Sequence, residues 1–536
     1  MKKANRARLF IAFALPVFAL FGVEFLFRQY GPPPRQGAPS DEYIQFLKEN
    51  AGPFFRVETT DKGAELVQVP IIWKTARSQR FSLRKPVSVR RILVVGESSA
   101  DLLGRELRDA LADSSVASRF EVMNCGIGAG SIEMVRRRFD EAIQYSPDAV
   151  IFAFGHNAFY DHPPPLPRLT LWARRSRFFS YLVERFHPRS ADEAFSPARR
   201  WAEVQDILRH VGRQARLRGI PVLVVILPSN LWFAPASEPE GGGPEYLNAL
   251  YQYHSGRRRQ AVASLRRALA RRPIASWHFM LGDWLFQRGD YAGALEHLTL
   301  ARDLDPARSR VSGAGNMLLR KIAAEEGLWL LDGEKWVMSR APHGIPGWES
   351  FSDNQHVRPD VFRGLALECL DVFKNHGWRD VEVDRRRMKH SRNPLTLEDE
   401  LHWALSMTPL MDGSARTSLT YMSGSWLREF SLTGDADLRE AEPDPFRRSI
   451  VRLYLAEALW RAGQREKALK VNAEIQASRP RWAEPAVQRG NFYLESGRRD
   501  SALSSYREAL RKDPEQAQAN FFIESMAIGA PGDAVR

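Results

Sequence analysis

Cysteine is scarce. The 536-residue chain holds two, Cys125 and Cys369. That excludes a disulfide scaffold and a cysteine-ligated zinc site. Zinc-finger spacing, a basic zipper and an RNP-type aromatic pattern are also missing, so no nucleic-acid partner is expected. Acidic residues are the minority, 64 against 77 basic ones, for a formal charge of +13 and a pI near 9.8. A basic balance suits a membrane surface or an acidic polymer, but arginine on solvated faces is the favoured account. A chain of this length exceeds one core and predicts several domains.

Long apolar runs are rare too. Leu9 to Phe27 is almost wholly apolar, follows Lys2, Lys3, Arg6 and Arg8, and is interrupted only by Pro16 and Glu24. It is long enough to cross a bilayer as a helix. No small-residue cleavage site follows, so an uncleaved anchor over 1–30 is favoured over a signal peptide. The basic flank places the N-terminus in the cytoplasm and the rest of the chain outside the inner membrane, in the periplasm. Residues 31–85 read as a proline-rich linker and a small irregular segment with one strand candidate, Leu66 to Ile72.

The centre of the chain alternates strands and helices. Strands are predicted at Arg91–Val95, Phe120–Met123, Ala149–Phe154, Val222–Leu227 and Leu328–Leu331. Helices are predicted around 102–112, 131–145, 199–218, 314–326 and 360–374. Apolar strands between amphipathic helices give an α/β class with a doubly wound, five-stranded parallel sheet. Ligands of such sheets bind at the carboxyl ends of the strands. Those ends carry Gly96-Glu97-Ser98, the loop Asn124-Cys125-Gly126-Ile127-Gly128-Ala129-Gly130, Gly155-His156-Asn157, and Asp353 with His356.

Each signal alone has a plain structural reading. Serine commonly caps helices. The glycine loop lacks the lysine and hydroxyl of a P-loop and the spacing of a dinucleotide fingerprint. His156, Asp161 and His162 invite a metal reading, but Pro163-Pro164-Pro165 follows and no second ligand cluster is spaced for zinc, so neither metal nor cofactor is expected. Together, a hydroxyl, backbone donors, an amide and an Asp–His pair on one sheet edge are the parts acyl transfer needs.

Residues 81–375 resemble the SGNH (GDSL-like) hydrolase family, and more closely its bacterial membrane-anchored members with tetratricopeptide repeats. Gly96-Glu97-Ser98 stands where that family has Gly-Asp-Ser. The Asn124–Ser131 loop matches its glycine block, Pro147–Asn157 its Gly-x-Asn block, and Asp353-x-x-His356 its last block. The resemblance implies Ser98 as nucleophile, His356 as general base and Asp353 as its orienting carboxylate. It implies an oxyanion hole from the Ser98 N–H, a glycine-loop N–H such as that of Gly128 and the Asn157 amide. Three features depart from the family: Glu97 replaces aspartate, the glycine loop is one residue short, and Ala158 stands where relatives carry an acid. The Gly-x-Ser-x-Gly elbow of α/β-hydrolases is absent, with Ala100 in the second glycine's place.

Repeats complete the chain. Gly256, Ala261, Leu265, Ala268 and Pro273 recur as Gly289, Ala294, Leu298, Ala301 and Pro306. Farther on, Gly463, Ala468 and Pro480 recur as Gly497, Ala502 and Pro514. The pattern resembles the tetratricopeptide repeat. One pair, 242–308, is inserted in the hydrolase-like domain of 86–375. A helical connector over 376–445 leads to a second repeat domain at 446–530. Each pair needs a further element to lean on, and Arg257–Arg259, Arg266, Arg267, Arg271 and Arg272 line in part either a groove for a protein or polymer partner or, equally, the solvated basic face of a structural brace. The whole predicts a membrane-anchored serine esterase or acyltransferase on an acyl ester, with an O-acetylated envelope polysaccharide as one candidate. A catalytically silent scaffold is the competing expectation.

Overall fold

A computed structural model describes residues 53–60, 63–68, 79–112, 117–159, 178, 196–236, 243–378, 381 and 444–527. The predicted anchor at Leu9–Phe27, Asp161, His162 and nearly all of the 376–445 connector lie outside the described residues. No helix among the described residues is long and apolar enough to cross a membrane.

Residues 41–85 depart from the expectation of an irregular segment. Strands β1 (Phe55–Thr60), β2 (Gly63–Gln68) and β3 (Arg80–Ser82) form an antiparallel sheet in sequence order. The described strand starts at Gly63, earlier than Leu66, and residues 69–72 of the expected strand lie outside the described residues. Phe55, Leu66 and Phe81 bury this sheet against the main core.

The main sheet has five strands in parallel pairing: β4 (Arg90–Gly96), β5 (Phe120–Gly126), β6 (Ala149–Ala153), β7 (Val222–Val225) and β8 (Trp329–Leu331). Their spatial order is β5-β4-β6-β7-β8. Ile92, Leu93, Val94 and Val95 are wholly buried, as are Val150, Ile151 and Phe152. Both faces are therefore covered, which is why these strands read as continuous apolar runs. Helices α1 (Ser98–Ala112), α2 (Ile132–Ala142) and α3 (Pro197–Arg216) follow the first three strands. The strand order reverses between β4 and β6, so the crevice for a ligand opens where Gly96–Ser98 and Gly155–Asn157 leave the sheet.

Among the described residues five helices stand between β7 and β8, the first four being α4 (Pro244–His254), α5 (Arg258–Arg271), α6 (Ala275–Gln287) and α7 (Tyr291–Asp303). The chain returns to the sheet through α8 (Gly313–Glu325), and β8 leads to α9 (Gly333–Met338) and α10 (Pro359–Asn375). The C-terminal helices are α11 (Pro445–Arg461), α12 (Arg465–Ser478), α13 (Glu484–Glu495), α14 (Arg499–Lys512) and α15 (Ala517–Ala527). Gly256, Gly289, Gly463 and Gly497 all have φ between 73° and 79°. Each closes a helix pair in a left-handed turn that a side chain strains.

Two helical arrays far apart in sequence share one core. Trp277, Leu281, Leu285 and Leu298 of the inserted array pack with Ile450, Val451 and Tyr454 of α11. Trp232, Phe233, Ile345 and Trp348, from loops beside the sheet, join the same cluster. Polar links reinforce it. Arg461 donates to the buried Asp283 at 3.2 Å, and Glu495 accepts from Trp460 Nε1 at 2.9 Å and lies 2.6 Å from His254 Nδ1. The elements each pair leans on are thus the other pair and the sheet loops.

Candidate active site

Gly96 ends β4 in a place that tolerates no side chain. A Cβ there would sit 1.8 Å from the Ala153 carbonyl oxygen. The chain turns at once into α1, so Ser98 is that helix's first residue and its N–H lies among the unpaired donors of the first turn. Ser98 is half-buried, while Glu97 and Ser99 on either side are buried.

His356 reaches Ser98 from 258 residues away, with Nε2 at 2.6 Å from Oγ. Its Nδ1 lies 2.6 Å from Asp353 Oδ2. The other Asp353 oxygen accepts the N–H groups of Gln355 and His356 at 2.8 and 2.7 Å. The loop is pinned by a Phe351–Val357 bridge and by a bond from the Ser352 N–H to the His356 carbonyl at 2.9 Å. Asp353 is 2 % exposed and the His356 side chain 14 %. Burial opposes the His356 cation, but the Asp353 charge and hydrogen bond outweigh it and hold the imidazole above its ordinary value. Burial likewise opposes the Asp353 anion. The imidazole and the backbone donors prevail, and its carboxyl lies below the usual range. A paired Nδ1 leaves Nε2 to take the proton of the Ser98 hydroxyl.

Asn157 stands beside this group. Its side-chain amide donates one N–H to the Gly130 carbonyl at 3.2 Å. An NH₂ group has a second donor, which is left for another acceptor. Ile127 to Gly130 is a turn closed by a Gly130 N–H bond to the Ile127 carbonyl at 3.1 Å, with Gly128 second and Ala129 third at φ 52°. The Ile127 N–H donates to the Gly96 carbonyl at 3.1 Å and keeps this turn against the Ser98 corner. Asn124, at the head of the same loop, is structural: its amide donates to the Asp101 carbonyl at 2.8 Å and its oxygen accepts the Gly126 N–H at 3.1 Å.

Sequence reasoning treated Glu97 as a departure and assigned it no task. In the structure its carboxylate accepts the His156 N–H at 3.0 Å and the Asn157 N–H at 2.7 Å. Burial pushes this carboxyl up to about 7, although the two N–H donors and the nearby imidazole pull the other way. No pattern in the sequence links positions 97 and 157, so nothing in it announced this bond.

His156, part of the metal reading of the sequence, is engaged by the main chain. Nδ1 accepts the Val311 N–H at 3.1 Å, so the ring proton sits on Nε2. Burial, then the neighbouring His356, lowers its pKa to about 3, which keeps the ring neutral. No group of three or more potential metal-binding side chains occurs among the described residues.

Residues 246–309 and 487–523 match the tetratricopeptide-repeat family model. No curated protein matches the chain. Among solved structures, a lipase/acylhydrolase from Enterococcus faecalis is similar at 12 % identity and TM-score 0.27, covering 54 % of this chain and 97 % of that one. An acetyl xylan esterase is similar at 12 % identity and TM-score 0.29, covering 55 % of this chain and all of that one (100 %). Yeast Tom70 is similar at 14 % identity and TM-score 0.18, covering 74 % of this chain and 78 % of that one. Likenesses this distant leave the chemistry to be read from the site itself.

Proposed function

We propose that the chain is a serine esterase or acyltransferase of the SGNH type. The observation that carries this is the unbroken run Asp353–His356–Ser98, with both links at 2.6 Å. His356 Nε2 takes the Ser98 proton as Oγ attacks the carbonyl carbon of an ester. The oxyanion is held by the Ser98 N–H, the Gly128 N–H and the second Asn157 amide N–H. Each such donor contributes roughly 3 kcal/mol in the transition state. The tetrahedral intermediate collapses, His356 returns the proton to the leaving alcohol, and an acyl-serine remains. Water or a sugar hydroxyl, activated by His356 in turn, releases the acyl group.

The setting belongs to the same proposal. Leu9–Phe27 anchors the chain in the inner membrane with its N-terminus in the cytoplasm, and the site and repeats face the periplasm. An O-acylated envelope polysaccharide is the substrate class that fits such a location. The repeats suit a protein partner held near it.

Hydrolysis of p-nitrophenyl acetate by the full chain tests the chemistry. The wild type is expected to turn over and Ser98→Ala to lose that activity; equal rates contradict the proposal. A reporter fused after residue 40 tests the topology and is expected to be active in the periplasm alone.

A further inference from the structure

The segment between α7 and α8, residues 304–312, is where the inserted repeats rejoin the sheet domain. It is held by buried charge. Asp305 and Arg310 are 3 % exposed each and pair at 2.8 Å. The remaining Asp305 oxygen accepts the N–H groups of Ala236 and Ala307 at 3.0 Å. Arg310 donates to the carbonyls of Asn230 and Phe233 at 2.8 and 2.7 Å.

This segment touches both halves of the site. Asn230, gripped by Arg310, donates its amide to the Asp353 carbonyl at 2.9 Å and its N–H to the Asn354 carbonyl at 3.2 Å. Asn354 donates to Ser309 Oγ at 2.8 Å. On the other side the Val311 N–H holds the His156 ring, next in sequence to Asn157, and the Val311 carbonyl accepts from Ser229 Oγ at 3.1 Å. Three consecutive residues, Ser309, Arg310 and Val311, thus contact the acid–base loop, the loop after β7 and the Asn157 loop.

We propose that Arg310 is a positioning residue for the acyl-transfer site, and that residues 305–311 clamp the acid–base loop and the Asn157 loop together, making the inserted repeats part of the catalytic framework. The inference rests on the esterase reading for its meaning. Its physical cause is independent of that reading. A buried guanidinium has several directed donors and fixes main-chain carbonyls more firmly than a loop fixes itself. Small misplacements of reacting groups lower rates steeply. Arg310 touches none of the three triad side chains; it acts through the Asn230 main chain on the Asp353 main chain. A shift of the repeats against the sheet would reach both loops through this one segment.

The test compares the full-length wild type with Arg310→Met, with the double variant Asp305→Asn/Arg310→Met, which leaves no lone buried carboxylate, and with Ser309→Ala, which removes one neutral contact. Three quantities are read: kcat per probe-reactive Ser98 and KM, both on p-nitrophenyl acetate, and the NMR titration of the His356 ring. The proposal expects kcat to fall roughly tenfold to a hundredfold in the Arg310 variants, with KM changing less than about twofold. It expects the His356 titration to move to lower pH as its link to Asp353 loosens. Ser309→Ala should show the same changes in smaller measure. A shifted titration in a protein whose wild type hydrolyses no ester would support the clamp and count against the esterase reading. Fewer reactive sites, with unchanged kcat per site and an unchanged titration in all three variants, would mean that Arg310 serves folding alone and would overturn the proposal.

Discussion

Glu97 Oε2 lies 2.7 Å from the backbone nitrogen of Asn157, 60 residues on. The residue beside Ser98, the proposed nucleophile, therefore fixes the loop that carries Asn157, the proposed oxyanion donor. Both oxygens are used, and the group is wholly buried. Glu97→Ala is expected to cost activity through a displaced Asn157, roughly as much as loss of one oxyanion donor, 10²-fold or more in kcat. Steady-state kinetics with matched active-site titration checks this.

The same carboxyl predicts a pH dependence of stability. Its pKa is raised from an ordinary value of 4.5 to about 7 by burial. The folded state then holds a proton that the unfolded chain has released. The corresponding stability is fully present below about 4.5 and is lost as pH rises through about 7. Glu97→Gln, which does not titrate, should flatten that part of the profile. Thermal unfolding of both proteins across this window is the measurement, and parallel slopes would contradict the assignment.

In the proposed mechanism Asp353 sets the pH at which His356 becomes a base. Because the carboxylate raises the imidazole above its ordinary 6.5, kcat/KM should climb with pH through an inflection above that value. Asp353→Asn removes the charge and should move the inflection to lower pH. It should also reduce kcat by about 10⁴-fold through the wrong tautomer. A pH–rate profile of each protein reads both effects.

At the junction of the helical arrays, Asp283 is fully buried and Arg461 is partly exposed. Arg461→Met removes a cation from this buried carboxylate, which keeps the Gln287 amide at 2.8 Å. The cost expected is about 3 kcal/mol, at the lower end for a broken buried pair because solvent reaches the arginine. Denaturant unfolding followed by tryptophan fluorescence should show it, since Trp277 and Trp284 lie in the shared core.

Much of this was legible beforehand, for identifiable reasons. Buried parallel strands must be apolar on both faces, so Ile92–Val95 and Val150–Phe152 stood out as runs. Ser98, Asp353 and His356 stood out because chemistry limits which residue types can serve. The rest depended on pairings across the fold. The sequence pattern starts β2 at Leu66 where the structure starts it at Gly63, since its pairing with Phe55–Thr60 decides where it starts. Asp305, Ser309 and Arg310 lie in a stretch of alternating charges that reads as solvated surface, and only burial reveals the pair. The merging of the two arrays rests on Ile450, Val451 and Tyr454 joining the buried cluster that holds Trp277, across a long separation in sequence.

Fluorophosphonate labelling of the full chain, with the modified residue located by mass spectrometry, bears most directly on the proposed chemistry. The hydroxyl of Ser98, polarised by His356, should carry the phosphonate in the wild type, and His356→Ala should slow the labelling by orders of magnitude. An unlabelled Ser98, or equal labelling with and without the imidazole, would contradict the account.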